Sequence, residues 1–333
     1  LELVDKRNAV YGVSTSFGGN IHHIIPPENA KALQKNLILS HAINIGENYP
    51  YEITKTAFIL RSATLAQGFS GISPNTLTLV SKIIKIGLVP VVKIHGSMGA
   101  SGDIGPLATL ALPLIGEGSV WLPDKKTIVP TKQAFKKYNL HPISLGYKEG
   151  LSLLNGTTMM TTVGSYNLWY LKRLIENSLV ISAMSIEVLR GSKQPFDSRL
   201  HQLKPHKYQI STAAVMERVL RNSKLARSHA ELSRRIEVDL QKHSDPFYSD
   251  TDLQGGSYSL RAIPQAYQSI ISIFKLFEET INTEIAAIDD NPLILPEERT
   301  ELHGANFHGL PIALTSDSLN LALVSIANIS LAR

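Results

Sequence analysis

The tripeptide Ala100-Ser101-Gly102 contains the residue types needed to make an electrophile from the main chain itself. No natural side chain is a strong electrophile, so chemistry that withdraws electrons normally requires a metal, an organic cofactor or a modified backbone. If the Gly102 nitrogen attacks the Ala100 carbonyl carbon, loss of one water closes an imidazolone ring. Loss of the Ser101 hydroxyl as a second water then leaves an exocyclic methylidene, which is an electron-poor alkene.

Each residue type suits this condensation. Ala100 places little bulk at the attacked carbonyl, Ser101 supplies the leaving hydroxyl, and Gly102 puts no side chain beside the attacking nitrogen. Pro106 and the glycines at positions 96, 99 and 105 favour a tight, strained turn. The alternative is an ordinary glycine loop or a phosphate-binding nest, although the sequence lacks the Gly-Lys-Ser/Thr ending of a P-loop.

Four other segments concentrate polar residues among glycines or in loops, where binding and catalytic groups are common. They are residues 11–19, 154–157, 258–265 and 290–308. They contain the sequences Tyr-Gly-x-x-Thr-x-x-Gly, Asn-Gly-Thr, Tyr-Ser-Leu-Arg and Asp-Asn-Pro. In this order, and together with the Ala-Ser-Gly loop, they resemble the aromatic amino acid ammonia-lyase and aminomutase family, which includes histidine ammonia-lyases. The resemblance covers essentially the whole chain.

The resemblance implies a mainly α-helical homotetramer that uses a self-formed 4-methylidene-imidazol-5-one, with no metal and no external cofactor. The implied reaction is the elimination of ammonia from an aromatic L-amino acid, with histidine as the first expectation and tyrosine as the second. Covalent attachment of the substrate amine to the electrophile makes it a better leaving group. A tyrosine 2,3-aminomutase of the same family and a helical scaffold that never forms the ring are the alternatives.

The resemblance also implies roles for individual residues near the reacting atoms. Tyr11 is expected to remove the β-proton, and because a phenol ionises only near pH 10, it needs a positive environment. Asn155 is expected to hydrogen-bond the carbonyl region of the electrophile, Tyr258 to position the amine or the electrophile, and Asp103 to assist cyclisation. The alternatives are a packed aromatic for Tyr11, a helix cap for Asn155 and a structural hydroxyl for Tyr258.

A second group of residues is expected to bind the substrate. The planar fork of Arg261 matches a carboxylate, although a surface ion pair is the alternative. His41 is expected to recognise the substrate ring, because an imidazole can hydrogen-bond another imidazole or a phenol and discriminates against apolar rings. A helix histidine satisfied within the core is its alternative. Phe307 and Gly18 are expected to line the same site.

Some positions depart from the pattern of the family. Thr158 follows Asn-Gly-Thr where histidine lyases usually have glutamine, and Gly255 replaces a glutamine three residues before Tyr258. Asp289 occupies a position where the family commonly has a small hydroxyl residue. Residues 186–192 and 259–265 resemble the bacterial tyrosine aminomutase branch. The motifs therefore leave both the lyase and the aminomutase reactions open.

The composition predicts a globular protein with a large core, because 43% of the 333 residues are hydrophobic. The 33 basic and 28 acidic residues are scattered, so no nucleic-acid surface is expected. With no cysteine, the chain has neither a disulfide framework nor a thiolate metal site. No signal peptide or membrane-spanning run is expected, which favours the cytoplasm and no membrane partner. Leu1 and Arg333 both resemble truncation points.

Helix signals divide the chain into two parts. Residues 28–46 are predicted to form a helix, with prolines before it and Gly46 at its end. Residues 120–141 are predicted to form short strands and loops. After Gly156, helical patterns cover residues 157–189, 211–240, 260–287 and 311–331, with a loop at 242–257. We therefore expect an N-terminal electrophile-bearing domain of mixed structure (1–150) and a central helical-bundle domain (151–333).

Overall fold

The structure, a computed structural model, describes residues 10–333 and is mainly α-helical, which confirms the predicted class. The helices are α1 (Ala30–His41), α2 (Tyr51–Ala66), α3 (Pro74–Ile86), α4 (Ile104–Ala111), α5 (Thr131–Lys137), α6 (Glu149–Leu154), α7 (Thr158–Val188), α8 (Ser198–Gln202), α9 (Lys207–Leu220), α10 (His229–Lys242), α11 (Tyr258–Arg261), α12 (Ile263–Ala286) and α13 (Leu310–Leu331). Short 3-10 turns occur at Gly18–Asn20, Pro27–Asn29, Leu112–Ile115 and Gln194–Phe196.

Seven short strands form three small antiparallel sheets in the part of the chain that the structure describes. The strands are β1 (Ile45–Asn48), β2 (Val89–Pro90), β3 (Lys93–His95), β4 (Ser119–Trp121), β5 (Ile128–Pro130), β6 (Leu293–Leu295) and β7 (Thr300–Leu302). The pairs are β1 with β3, β2 with β4, β4 with β5, and β6 with β7.

The chain divides into two compact units. Unit 1 comprises Leu1–Tyr166 and Thr280–Ala313, and unit 2 comprises Asn167–Glu279 and Leu314–Arg333. The domain boundary predicted near residue 150 stays a prediction.

In unit 1, α1, α4 and α6 pack against one another. Their shared core contains Ile38, Leu107 and Leu154, whose side chains are essentially excluded from solvent. Burial of an aliphatic side chain of this size stabilises a fold by about 1.5–3 kcal/mol. The packing fixes the C-terminus of α1, which ends at His41, the N-terminus of α4, which follows the Ala-Ser-Gly loop, and the C-terminus of α6, which precedes Asn155.

The boundaries of α3 show how local sequence sets a helix in this unit. The Ser73 hydroxyl accepts a hydrogen bond from the Thr76 amide at 3.3 Å, and Pro74 occupies the first helical position. The helix ends at Gly87, which adopts the left-handed conformation with φ of 85°. α3 packs on α2, the helix that carries the buried Arg61.

The helix predicted over residues 28–46 is shorter than expected. It ends at His41, and Gly46 lies within β1 with φ of 89°. β1 pairs with β3 through Ile45 and His95, and the Asn44 side chain donates to the Lys93 carbonyl oxygen at 3.1 Å. Pairing with a strand about fifty residues away therefore overrides the local helical pattern.

Two other element predictions need correction. The single helix predicted over residues 211–240 is two helices, α9 and α10. The Ser223 hydroxyl accepts from the Ala226 amide at 3.0 Å, and Ser228 caps α10 by accepting from the Glu231 amide at 3.2 Å. Residues 120–141 contain α5 as well as two strands. The predictions for residues 157–189 and 311–331 agree with α7 and α13 to within one residue.

We expected no apolar run long enough to span a bilayer, and this expectation is also wrong, because one helix meets the criteria of length and composition for a membrane span. Within residues 10–333, α13 has 22 residues with a mean hydropathy of 1.4. A helix in the core of a soluble protein can meet the same two criteria, so this observation by itself assigns no location.

Candidate active site

A pocket of about 540 Å³ in unit 1 brings together six of the residues singled out from the sequence. They are Tyr11, Gly18, His41, Ser101, Asn155 and Phe307. Two of these come from loops near the N-terminus of the chain and two from segments after residue 150. The fold therefore places residues that are far apart in sequence around one cavity.

The Ala-Ser-Gly loop forms a tight turn at the wall of this pocket. The Gly102 amide donates to the Gly99 carbonyl oxygen at 3.2 Å, and both glycines have positive φ, 75° at Gly99 and 74° at Gly102. The Ser97 hydroxyl joins the ends of the turn, since it accepts from the Gly99 amide at 3.1 Å and donates to the Gly102 carbonyl oxygen at 3.0 Å. Cyclisation requires the Gly102 nitrogen to approach the Ala100 carbonyl carbon, and a tight turn is the backbone shape that this approach needs.

The packing around the loop fits the predicted ring. A Cβ atom at Gly102 would overlap the carbonyl oxygen of Gly156 and would lie 2.9 Å from the carbonyl oxygen of Phe307. Ser101, in contrast, is exposed and lines the cavity. The loop thus holds its glycine against the protein and presents its serine, the residue that would become the alkene, to the pocket.

Asn155 joins this loop to a second segment of unit 1. Its side-chain amide donates to the Ser101 carbonyl oxygen at 3.1 Å, and its side-chain oxygen accepts from the Asn291 amide at 3.0 Å. Asn155 is buried and follows the last residue of α6, and neither side-chain contact reaches the first turn of α7. The side chain therefore does not cap α7, and its role towards an electrophile stays a prediction.

Asp103 lies behind the loop and is almost fully buried. Its carboxylate accepts from the Met160 amide at 2.8 Å. Burial raises the pKa of Asp103 from 3.8 to about 7, with backbone hydrogen bonds opposing the rise and the negative charge of Asp289 adding to it. A carboxyl group of this kind, next to Gly102, is able to give or take a proton near neutral pH.

Tyr11 lies at the mouth of the pocket. Its phenol oxygen accepts a hydrogen bond from the Gly18 amide at 3.2 Å. Its ring makes edge contacts with Phe17, at 6.2 Å between centroids, and His303, at 6.3 Å. The amide contact and the ring contacts together fix the position of the phenol at the pocket.

His41, at the C-terminus of α1, is half-buried and lines the pocket. Its Nδ1 atom lies 2.8 Å from the Leu37 carbonyl oxygen. A carbonyl oxygen can only accept, so Nδ1 carries the hydrogen, and Nε2 of the neutral ring is an acceptor. The contact with Leu37 satisfies Nδ1, as expected for a histidine that is hydrogen-bonded within the core. Nε2 can still accept a hydrogen bond from a donor on a ligand ring.

Tyr258 and Arg261 belong to unit 2 and line a cavity of that unit, of about 660 Å³, instead of the pocket of unit 1. Tyr258 is 74% exposed, and the Arg261 guanidinium carbon lies 5.7 Å from the centre of its ring. The Nε atom of Arg261 is buried without a hydrogen-bond partner. A surface ion pair, the alternative to carboxylate binding for Arg261, is absent from the ion pairs formed within residues 10–333.

Sequence reasoning missed several pocket residues. Leu33, Asn36, Leu37 and Ser40 lie on the same face of α1 as His41, at spacings of three and four residues. This helical periodicity, applied outwards from His41, would have found them. Asn291 also lines the pocket, and its place in the Asp-Asn-Pro motif was the available signal. Within residues 10–333 no cluster of three or more His, Asp or Glu residues is arranged to hold a metal ion.

Known proteins similar to this chain identify its family. The sequence profile of the aromatic amino acid lyase family matches residues 1–333. The tyrosine 2,3-aminomutase of Myxococcus fulvus is 37% identical over 322 residues, which are 96% of this chain and 60% of that protein. The histidine ammonia-lyase of Caldanaerobacter subterraneus is 35% identical over 333 residues, which are 99% of this chain and 61% of that protein. The solved structure of the Pantoea agglomerans phenylalanine aminomutase is similar with a TM-score of 0.91 and 31% identity, and the match covers 98% of this chain and 62% of that one.

The chain therefore belongs to the aromatic amino acid lyase family, and the resemblance inferred from its five motifs is confirmed. It spans about three fifths of the length of the curated relatives that it matches.

Proposed function

We propose that the full-length protein eliminates ammonia from an aromatic L-amino acid that has a polar ring, with histidine as the first candidate and tyrosine as the second. The pocket that gathers Tyr11, His41, Ser101 and Asn155 is the observation that carries this proposal. It contains the three groups that the reaction requires, namely an electrophile precursor, a base and a polar group for the ring.

Residues 100–102 fit the 4-methylidene-imidazol-5-one for which the family is known. When formed, this group supplies the electrophile that activates the substrate amine for departure. Asn155 holds the Ser101 carbonyl oxygen and so fixes the orientation of the loop towards the pocket. The proposal includes no metal and no external cofactor.

Tyr11 takes the β-proton of the substrate in this mechanism. The Gly18 amide donates to the phenol oxygen and fixes the position of the atom that would accept the proton. The edge contacts with Phe17 and His303 hold the phenol ring in place at the mouth of the pocket.

His41 selects the ring of the substrate. Because its Nδ1 donates to Leu37, its Nε2 accepts from either an imidazole N–H or a phenol O–H. A phenylalanine ring offers no such donor and would leave this nitrogen unpaired, which disfavours it. The same contact serves histidine and tyrosine, and this is why the proposal keeps both.

Tyr258 and Arg261 reach the substrate in this proposal because another copy of the chain contributes them, within a homotetramer. Both residues line a cavity of unit 2, and the unpaired Nε atom of Arg261 suits a carboxylate. In support of assembly, α7 exposes Leu174, Ile181 and Val188 at a spacing of seven residues. A stripe with this spacing is typical of helices that pack against other long helices.

The test is incubation of the full-length protein with histidine, tyrosine and phenylalanine in separate assays. A conjugated acid that absorbs in the ultraviolet should form from histidine or tyrosine, and intact mass should show the loss of two waters from the protein. Chromatography that finds a β-amino acid instead would favour a 2,3-aminomutase, the reaction named for the Myxococcus relative. A protein that retains both waters and converts none of the three substrates would refute the proposal and leave a helical scaffold.

A second experiment tests the shared site. Full-length Tyr11→Phe and Arg261→Lys subunits, which carry different affinity tags, are co-expressed and isolated through both tags. Each variant alone should be nearly inactive, whereas the mixed oligomer should recover part of the activity, because some of its pockets then combine two wild-type residues. A mixed oligomer as inactive as its parents would contradict a pocket built from more than one chain.

A further inference from the structure

Unit 1 contains a buried ion pair that the chemistry described above does not use. Arg61, on α2, donates to Asp289 at 2.6 Å, and the two side chains are only 3% and 5% exposed. The same guanidinium donates to the main-chain carbonyl oxygen of Asn155 at 2.5 Å and to that of Ser152. Arg61 therefore binds the end of α6 and the residue that follows it, in addition to its ion-pair partner.

Asp289 holds the adjoining residues. Its second carboxylate oxygen accepts from the Thr157 amide at 2.7 Å and lies 3.3 Å from the Thr157 hydroxyl. Gly156 passes between the two charged groups, because a Cβ atom there would lie 2.5 Å from both Arg61 Nη1 and Asp289 Oδ2. Arg61 and Asp289 thus bind both ends of the segment 155–157 and leave no space for a side chain at Gly156.

This segment makes the hydrogen bonds that hold the Ala-Ser-Gly loop on its inner side. The Asn155 side chain donates to the Ser101 carbonyl oxygen at 3.1 Å, and the Gly156 carbonyl oxygen accepts from the Asp103 amide at 2.6 Å. These contacts flank Gly102, the residue whose nitrogen must attack. A displacement of the segment 155–157 is therefore passed directly to the cyclising turn.

The residues that follow Asp289 fix α6 in the same way. Asp290 pairs with Lys148 at 2.8 Å, at the N-terminus of α6, with both side chains almost completely buried. The Asn291 amide donates to the Asn155 side chain at 3.0 Å, just beyond the C-terminus of α6. Asp289, Asp290 and Asn291 thus hold α6 and the residues that follow it. Of the three, Asp289 binds the segment 155–157 in two ways, through its ion pair with Arg61 and through the Thr157 amide.

We infer that Asp289 is a positioning residue for ring formation, acting through Arg61 and Thr157 to hold Asn155 and Gly156 against the cyclising loop. In the step that it serves, a bond forms between the Gly102 nitrogen and the Ala100 carbonyl carbon. The carbonyl oxygen leaves as water with the amide hydrogens of Gly102 and Ser101, and a C=N bond to the Ser101 nitrogen replaces the C=O bond. The Ser101 hydroxyl and its Cα hydrogen leave as a second water, so the step needs no oxidant or reductant. The inference rests on the proposed function, because it concerns the electrophile of that reaction.

The experiment follows ring formation separately from catalysis. Full-length wild-type protein, Asp289→Asn and the control Glu117→Gln are synthesised in a cell-free system and sampled over time. Intact mass gives the fraction of each that has lost two waters, and circular dichroism gives the folded fraction. Glu117→Gln is matched because it neutralises a carboxylate in an ion pair, with Lys132 at 3.4 Å, that is exposed.

In the folded fraction, Asp289→Asn should lose its two waters about 10- to 100-fold more slowly than wild type, as expected when reacting groups are misplaced by a fraction of an ångström. Glu117→Gln should stay within about twofold of wild type, because exposed ion pairs contribute little. Asp289→Asn that cyclises at the wild-type rate overturns the inference. Wild-type protein that never loses the waters contradicts the proposed function instead, so the two failures are distinguishable.

A second variant keeps the test decisive if Asp289→Asn does not fold, since that change leaves the Arg61 charge buried and unpaired. The double variant Arg61→Met with Asp289→Leu removes both charges together, and an apolar pair of this kind commonly folds. It should fold and still cyclise about 10- to 100-fold more slowly than wild type. Cyclisation of the folded double variant at the wild-type rate would mean that the pair only stabilises the fold, and the inference would be wrong.

Discussion

The two sides of the unit 1 pocket are held in very different ways. The electrophile wall, formed by Ser101, Asn155 and Asn291, is hydrogen-bonded through main-chain groups and backed by buried ion pairs. The recognition wall, formed by Tyr11, Gly18 and His41, is held by hydrogen bonds of the Tyr11 and His41 side chains, at partly or fully exposed residues. This difference is consistent with the two tasks. Cyclisation of the main chain needs the reacting atoms to be held in place beforehand, whereas the binding of a substrate ring tolerates a more exposed surface.

The sharpest way to break this comparison is to remove the reacting group of the electrophile wall. Ser101→Ala lacks the hydroxyl that leaves as the second water, so we expect turnover to fall by more than about 10³-fold with folding intact. Turnover, intact mass and circular dichroism of the full-length variant measure this. Met98→Ala is the control, because Met98 lies in the same loop with a side chain that is 99% exposed. Near-normal activity of Ser101→Ala would refute the role of the tripeptide.

Removing the phenol oxygen of Tyr11, the proposed base, tests the recognition wall while leaving the other wall unchanged. Tyr11→Phe keeps the ring and loses the phenol oxygen, so turnover should fall by about 10²- to 10⁴-fold. Intact mass should still show the loss of two waters, because Tyr11 makes no contact with residues 100–102 among the hydrogen bonds found within residues 10–333. Tyr138→Phe is a matched control on a tyrosine outside the pocket. An unmodified loop in Tyr11→Phe would show that the two walls are not independent.

A smaller effect is expected where the recognition wall contacts the substrate ring. His41→Leu removes the Nε2 acceptor, so kcat/KM for the preferred polar substrate should fall by about 10- to 100-fold, and the preference for phenylalanine should rise. Steady-state kinetics with histidine, tyrosine and phenylalanine measure the change. The exposed His141→Leu serves as the control. An unchanged order of the three substrates would show that His41 does not select the ring.

The smallest expected effect concerns stability at the electrophile wall. Because burial raises the pKa of Asp103 to about 7, above its ordinary value of 3.8, the folded protein holds this proton more tightly than the unfolded chain does. The stability from the neutral carboxyl is fully present below about pH 4 and is lost as the pH rises through about 7. Asp103→Asn should remove this part of the pH dependence, which is at most about 1.4 kcal/mol per pH unit.

Urea unfolding between pH 5 and pH 8 compares the free energy of unfolding of Ser101→Ala with that of the double variant Ser101→Ala, Asp103→Asn. Neither protein can complete the ring, so ring formation does not affect the comparison. The difference between the two free energies of unfolding should change most between pH 5 and pH 7. A difference that stays constant with pH would contradict the raised pKa of Asp103.

Much of the pocket could be predicted from the sequence because short motifs carry it. The residues around the loop, Tyr11, Asn155 and Phe307 lie in glycine-rich segments whose composition limits them to few structures. The long helices α7 and α13 could also be predicted, because helical periodicity over more than twenty residues is a strong local signal.

Two of the parts that the sequence did not predict depend on contacts between distant segments. Arg61 and Asp289 are separated by 228 positions, and nothing local to either residue indicates that they pair. The strand at Ile45–Asn48 pairs with β3, about fifty residues away. The break between α9 and α10 is different, because it depends on local serine side chains that bond backbone amides three residues later, a signal that helical periodicity alone does not register.

Gly102 packs directly against the carbonyl oxygen of Gly156. This contact gives the glycine a packing requirement that is separate from the chemical requirement on Ser101, although both residues belong to one motif. A relative that does not form the ring would be free to exchange the serine that faces the pocket, yet it would still need glycine as the third residue, because a side chain there would overlap the neighbouring main chain. Glycine at this position in a distant relative therefore indicates shared architecture, whereas the serine before it is a residue that ring formation itself requires.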